Sequence, residues 1–226
     1  MSGFQTFWNG LDWSVLTDML LSAIPALFCI TLHELSHGWI AYLLGDNTAK
    51  NAGRLTLNPI RHIDLLGLVM MVAFRFGWAK PVPVNMRNFK HPRAGMALTA
   101  AAGPLCNLAI TVAMLFVYGL IYLPLTRSGS AFAFFVLNTV AVTARMSLSL
   151  AVFNVIPISP LDGSKILFSF LSDKWYYRLM RYERYGMILL LALVWTGVLG
   201  NPLSSVTDWL YDKLFRLAEW GYGLTI

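Results

Sequence analysis

The first chemical signal is a run of five residues, His33-Glu34-Leu35-Ser36-His37. On a helix turning about 100° per residue, positions 33 and 37 lie one turn apart on the same face, so both imidazoles can reach one metal ion while Glu34 projects beside them. That is the geometry of a zinc hydrolase. Zinc lowers the pKa of a water bound to it, and Glu34 would take that proton and later hand it to the leaving amine. In a soluble chain so short a pattern also arises by chance. Here it falls in an apolar stretch, where ionisable side chains crowded into one helical turn are costly unless paired or functional. A catalytic zinc needs a third protein ligand. Asp162, in Pro160-Leu161-Asp162-Gly163, is the only acidic residue from Lys80 to Leu171. Alone it suits an N-cap for a helix beginning near Ser164; beside the histidine motif it becomes the natural third ligand.

The elements that must position these residues belong to a membrane. Of 226 residues, 57% are hydrophobic and 12% charged, against roughly half and a quarter in an ordinary soluble domain. Mean hydropathy is +0.61, and Ala94 to Leu125 carries no charge over a length well beyond the ~20 residues a bilayer requires. A water-soluble monomer, a collagen, a coiled coil and a disordered tail are excluded. The expected fold is an all-α polytopic bundle of four to six transmembrane helices with a small irregular β or re-entrant segment on the cytoplasmic side. One domain is expected over 1–226: a span carrying the zinc motif over 16–44, a cytoplasmic or re-entrant region over 46–93, core spans and the third-ligand segment over 94–171, and a last span with an amphipathic tail over 185–226. Gly103-Pro104 is expected to break the second span. Arg54 to Leu57 and Pro81 to Asn85 have the alternation and prolines of edge strands, and the apolar piece Leu65 to Phe74 is too short to cross. Pro157 and Pro160 rule out a regular helix after Asn154.

Net charge is +6, with eight of the seventeen basic residues between Asp46 and Arg93. Four more stand between Lys174 and Arg184 and none before the first span, so the positive-inside rule puts the N-terminus outside and the regions flanking both motifs in the cytoplasm. With the basic residues blocked between apolar runs, nucleic acid is not an expected partner. The first eighteen residues hold Asp12 and Asp18 but no Lys or Arg, which argues against a cleaved signal. Cys29 lies four before His33 and reads as a small hydrophobe rather than a ligand, as does Cys106. His62 and His91 read as solvated interfacial groups. Trp8, Trp13, Trp175, Tyr176, Tyr177, Trp209 and Tyr211 fall at predicted boundaries, where aromatic belts belong. Arg145 is left inside the third span, about Ala131 to Phe153, with no assigned role.

His33-Glu34-x-x-His37 in a membrane helix, followed far downstream by Asn154-x-x-Pro157-x-x-Pro160-Leu161-Asp162-Gly163, resembles the site-2 protease family of intramembrane zinc metalloproteases. Gly103-Pro104-x-x-Asn107 looks like that family's membrane motif between the two, and Gly77-Trp78-Ala79-Lys80-Pro81-Val82-Pro83-Val84-Asn85 resembles the surface hairpin of its compact bacterial and archaeal members. The resemblance covers most of the chain. It implies one Zn2+ held by His33, His37 and Asp162 in a three-helix core, Glu34 as general base, and hydrolysis of a peptide bond in or near a transmembrane helix of a substrate protein. Asn154 and Asn107 become candidates for the oxyanion or substrate. The protein would be a multi-pass component of a prokaryotic cytoplasmic membrane. No PDZ-like insertion or nucleotide-binding module of the regulated members is visible, and Leu65-Leu66-Gly67-Leu68 replaces the more Pro-rich turn of compact relatives. Two other classes fit the residues less well: a catalytically silent scaffold of the same fold, against which the intact Glu34 argues, and a metal transporter, which would carry ligands on more spans.

Overall fold

The computed structural model describes residues 13–67 and 78–226. The expected dip over 65–74, the start of the hairpin motif at Gly77, and Trp8 fall wholly or partly outside them.

Helix α1 is Trp13–Leu43 and ends at Gly45, whose φ of +103° suits a residue without a Cβ. A short helix α2, Thr48–Asn51, follows. The chain then runs through two 3-10 turns, Pro59–His62 and Met86–Asn88. In each, the preceding asparagine accepts a backbone N–H: Asn58 from Ile60 at 3.0 Å and Asn85 from Arg87 at 3.1 Å. The expected irregular sheet is not seen; among the described residues there is one antiparallel bridge, Ile63 to Ala79, and no strand. Pro81 and Pro83 have no N–H to give a ladder, and the Val82 N–H is used elsewhere.

Two long helices form the frame. α3 is Pro92–Ser128, and it continues unbroken through Pro104, correcting the expected break. Proline removes one intrahelical N–H bond, a loss that membrane bundles tolerate when neighbouring helices surround the site; Pro104 is buried among them. α3 ends at Gly129, at φ +60°, and the Ser130 hydroxyl accepts the Ala133 N–H at 3.1 Å to start α4, Ala131–Val155. This tight turn makes α3 and α4 an antiparallel pair, and α1 packs across both. α5, Asp162–Ser169, rests on α3 and α4. Then come α6 (Asp173–Arg181), α7 (Glu183–Trp195), α8 (Gly200–Leu214) and α9 (Arg216–Gly223).

Among the described residues α3 and α4 are long and apolar enough to cross a membrane, and a third span is counted if α7 is joined to α8 and α9 across an 83° bend. The protein is a helical membrane protein. The tail is docked against the bundle: α8 on α4 and α9 on α3. Arg145, unassigned in sequence, pairs with Asp208 of α8 and lies 5.7 Å from the centre of the Tyr211 ring. Tyr176 is fully buried, with its hydroxyl 3.4 Å from the Met86 sulfur, so it is not part of an interfacial belt.

Candidate metal centre

His33, His37 and Asp162 meet where α1, α3 and α5 converge. The Asp162 Oδ2 lies 3.1 Å from His33 Nε2 and 3.2 Å from His37 Nε2. One donor atom from each residue lies within 4.8 Å of the others, and all three side chains are buried. The histidine rings are 4.6 Å apart and edge-on at 89°. α5 begins at Asp162 itself, two residues earlier than expected, and the residue before it makes no side-chain cap. The Asp162 carboxylate therefore faces the imidazoles rather than capping a helix from Ser164. Gly163 allows the approach: a Cβ there would stand 2.0 Å from the Val155 carbonyl oxygen at the end of α4.

The far side of each ring is held by α3. His37 Nδ1 donates to the Thr99 carbonyl oxygen at 2.7 Å, and the Asn107 amide is 3.1 Å from His33 Nδ1. Gly103 lies between these two positions. A Cβ there would stand 2.5 Å from Cε1 of both rings, so the helix must be bare at that point for the histidines to lie against it. Residues 99, 103 and 107 recur every four positions and share one helix face. That spacing was legible in the sequence, but without the fold nothing connected it to the imidazoles. Two imidazole nitrogens and a carboxylate oxygen, each imidazole engaged behind by an outer partner, are a donor set that suits zinc. The residues fit a metal.

Glu34 and Asn154 line the same cavity of about 810 Å³ as the three donors. The Glu34 Oε2 accepts the Val82 backbone N–H at 2.9 Å, so the segment from Pro81 lies against this carboxylate as an extended strap. The strap is moored at Asp46, which has no exposed surface. Its carboxylate accepts Asn85 N–H at 2.7 Å, the Asn88 amide at 2.6 Å and Thr48 N–H at 3.0 Å. Burial pushes the Asp46 carboxyl up, and hydrogen bonds from Thr48, Asn85 and Asn88 outweigh it and hold it below the usual range. The sequence reading assigns no role to Asp46 and places Val82 only in an edge strand; nothing in a sequence marks a backbone donor to Glu34.

The other expectations resolve as follows. The Asn154 amide donates to the Leu150 carbonyl of its own helix at 3.0 Å, one turn back, rather than to groups freed by the prolines. Asn107 is fully buried and is not among the cavity-lining residues. Cys29 is buried 3.8 Å from the Thr143 carbonyl oxygen and takes no part in the donor cluster. His62 is buried rather than solvated, with Nε2 2.9 Å from the Thr56 carbonyl oxygen.

Membrane-type helices enclosing two histidines and an aspartate are the frame of a metal-binding membrane protein. The sequence comparisons narrow that class. A model of Peptidase family M50 matches residues 119–196, the part holding Asn154 and Asp162. The chain is 37% identical over 186 residues to the Bacillus subtilis protein named "Putative zinc metalloprotease YwhC", covering 82% of this chain and 83% of that one. It is 28% identical over 193 residues to "Putative zinc metalloprotease Rip2" of Mycobacterium tuberculosis, covering 82% and 71%. The protein of that name from Mycolicibacterium smegmatis is 26% identical over 192 residues, with the same coverage. No solved structure matches the chain. The chain belongs to Peptidase family M50, the site-2 protease family, and is a metalloendopeptidase.

Proposed function

We propose that this protein uses one zinc ion, held by His33, His37 and Asp162, to hydrolyse a peptide bond in or next to a transmembrane helix of another membrane protein. The observation that carries the reading is the convergence of those three donors within 4.8 Å, with Glu34 lining the same cavity. Zinc in that position supplies Lewis acidity, polarising the scissile carbonyl and acidifying water. The chain's own residues do the rest. Glu34 takes a proton from the attacking water on a carboxylate oxygen and returns it to the departing nitrogen. The Val82 N–H holds Oε2, and the second carboxylate oxygen is left to accept from the water. Asn154, in the cavity wall, is placed to hold a substrate carbonyl once its amide turns from Leu150.

The proposed topology has four to six spans, α1 among them, with the site opening to the cytoplasm. Its support is the cluster of eight basic residues between Asp46 and Arg93. His33 stands ten residues before the end of α1, about 15 Å below that end at 1.5 Å per residue. That depth suits a bond buried in the bilayer, reached by water through the cavity. The test is Glu34→Gln, assayed on a reconstituted single-span substrate: zinc retained, cleavage reduced by about 10²–10⁴-fold. Unchanged cleavage contradicts the assignment, and wild type with zinc but no cleavage of any membrane substrate favours the scaffold.

A further inference from the structure

Asn107 is a polar side chain of α3 with no exposed surface, where that helix meets His33 of α1 and Ser147 of α4. Its backbone carbonyl is doubly engaged, accepting the Thr111 hydroxyl at 3.0 Å and the Ser147 hydroxyl of α4 at 2.8 Å. Its side chain places Nδ2 3.1 Å from His33 Nδ1, and its Oδ1 is buried with no partner among the described residues. A substrate cannot reach it, because it neither lines the cavity nor meets solvent.

The direction of that contact is decided by what His33 must do. Imidazole carries one hydrogen when neutral. If the amide N–H donates to Nδ1, the hydrogen sits on Nε2, directed at Asp162 Oδ2 3.1 Å away, and no lone pair is left for a metal. If Nε2 is to coordinate, Nδ1 must carry the hydrogen and needs an acceptor. The atom within reach is the amide oxygen, brought round by half a turn of the side-chain amide, whose two ends are nearly alike in size. His37 needs no such adjustment, because the Thr99 carbonyl facing its Nδ1 can only accept.

We infer that Asn107 is a positioning residue for His33: its amide oxygen accepts the Nδ1 hydrogen, which leaves the Nε2 lone pair free for a metal. One histidine has a backbone carbonyl as its acceptor and the other a side-chain amide. The inference rests on His33 being a ligand. It departs from an oxyanion or substrate role for Asn107.

The experiment measures zinc affinity of the full-length protein in detergent by chelator competition, with the d–d absorption of the cobalt-substituted form as a second readout. The variants are Asn107→Leu, Asn107→Asp and Ser147→Ala. Asn107→Leu, which has no acceptor, is expected to bind zinc about 10- to 100-fold more weakly and to shift the cobalt bands. Asn107→Asp, whose carboxylate can only accept, is expected to match wild type or bind more tightly. Ser147→Ala, which loosens the same helix contact without touching the ring, is expected to stay within about threefold. Asn107→Leu within threefold of wild type overturns the inference, as does Asn107→Asp weakened tenfold; the second stands as a test even if the leucine variant does not fold. A wild type that takes up no zinc overturns the underlying ligand assignment instead, so the two failures are distinguishable.

Discussion

The two halves of α3 solve the same packing problem with opposite chemistry. Both use a bare glycine to let a neighbour come close: Gly103 meets the rings of His33 and His37, and Gly119 meets α9, where an added Cβ would lie 2.0 Å from the Ala218 carbonyl oxygen. Around Gly103 polar groups are buried, Thr99, Asn107 and Thr111, among the apolar Met96, Ala100 and Ile110. Around Gly119 the buried groups are dry, with Leu115, Ala144 and Ala218 forming a core flanked by Tyr118 and Tyr211. Small residues in a membrane helix serve packing in both places. The difference lies in what the close approach is for: at one end it holds two imidazoles at fixed orientation, at the other it fastens the tail.

The contrast breaks first at the glycines. Gly103→Ala sets a methyl 2.5 Å from both rings, which are locked behind by Thr99 and Asn107. Its expected effect is a loss of zinc affinity of at least about tenfold, read by chelator competition. Gly119→Ala is expected to keep wild-type zinc affinity and to lower stability by about 1–3 kcal/mol, read by thermal unfolding in detergent, because α9 must back away from α3. Equal effects of the two on zinc would erase the distinction drawn here.

Weaker effects are expected at the periphery of each half. Asp208→Asn leaves Arg145 on α4 without its carboxylate partner; the melting temperature should fall by a few degrees with zinc content unchanged, and a loss of zinc would show that the tail reaches the centre. On the side of the donors, Asp46 moors the strap. Its carboxyl titrates lower folded than unfolded, so its contribution is complete above the unfolded value of about 4 and is lost as pH falls through the folded value. Amide exchange over Val82 to Phe89, corrected for intrinsic rate, should therefore accelerate in acid below about pH 4 and not with rising pH. Asp46→Asn should flatten that dependence.

How much of this was legible follows from the range of each interaction. His33, Glu34 and His37 are joined by the period of a single helix, so their grouping could be read directly. Asp162 lies 129 residues from His33, and it was reachable because a lone carboxylate in so apolar a stretch is conspicuous. The helical, membrane-bound character followed from composition and run length. What escaped reading was set by partners rather than by residue type. Pro104 stays helical because surrounding helices tolerate the lost bond. Pro81 to Asn85 has strand-like alternation, yet its usable donor, Val82, goes to a carboxylate. Arg145 looked misplaced until Asp208, 63 residues away, came beside it. Asn107 carried a family motif, but its place behind His33 rather than before a substrate depends on burial.

The central claim is that three side chains from two distant segments make one metal site. It is tested most directly by the zinc content of the detergent-purified protein beside His33→Ala with His37→Ala and beside Asp162→Ala. One zinc per chain in the wild type, lost from both variants, is the predicted result; a metal-free wild type, or an Asp162→Ala protein that holds zinc as tightly as the wild type, would contradict it.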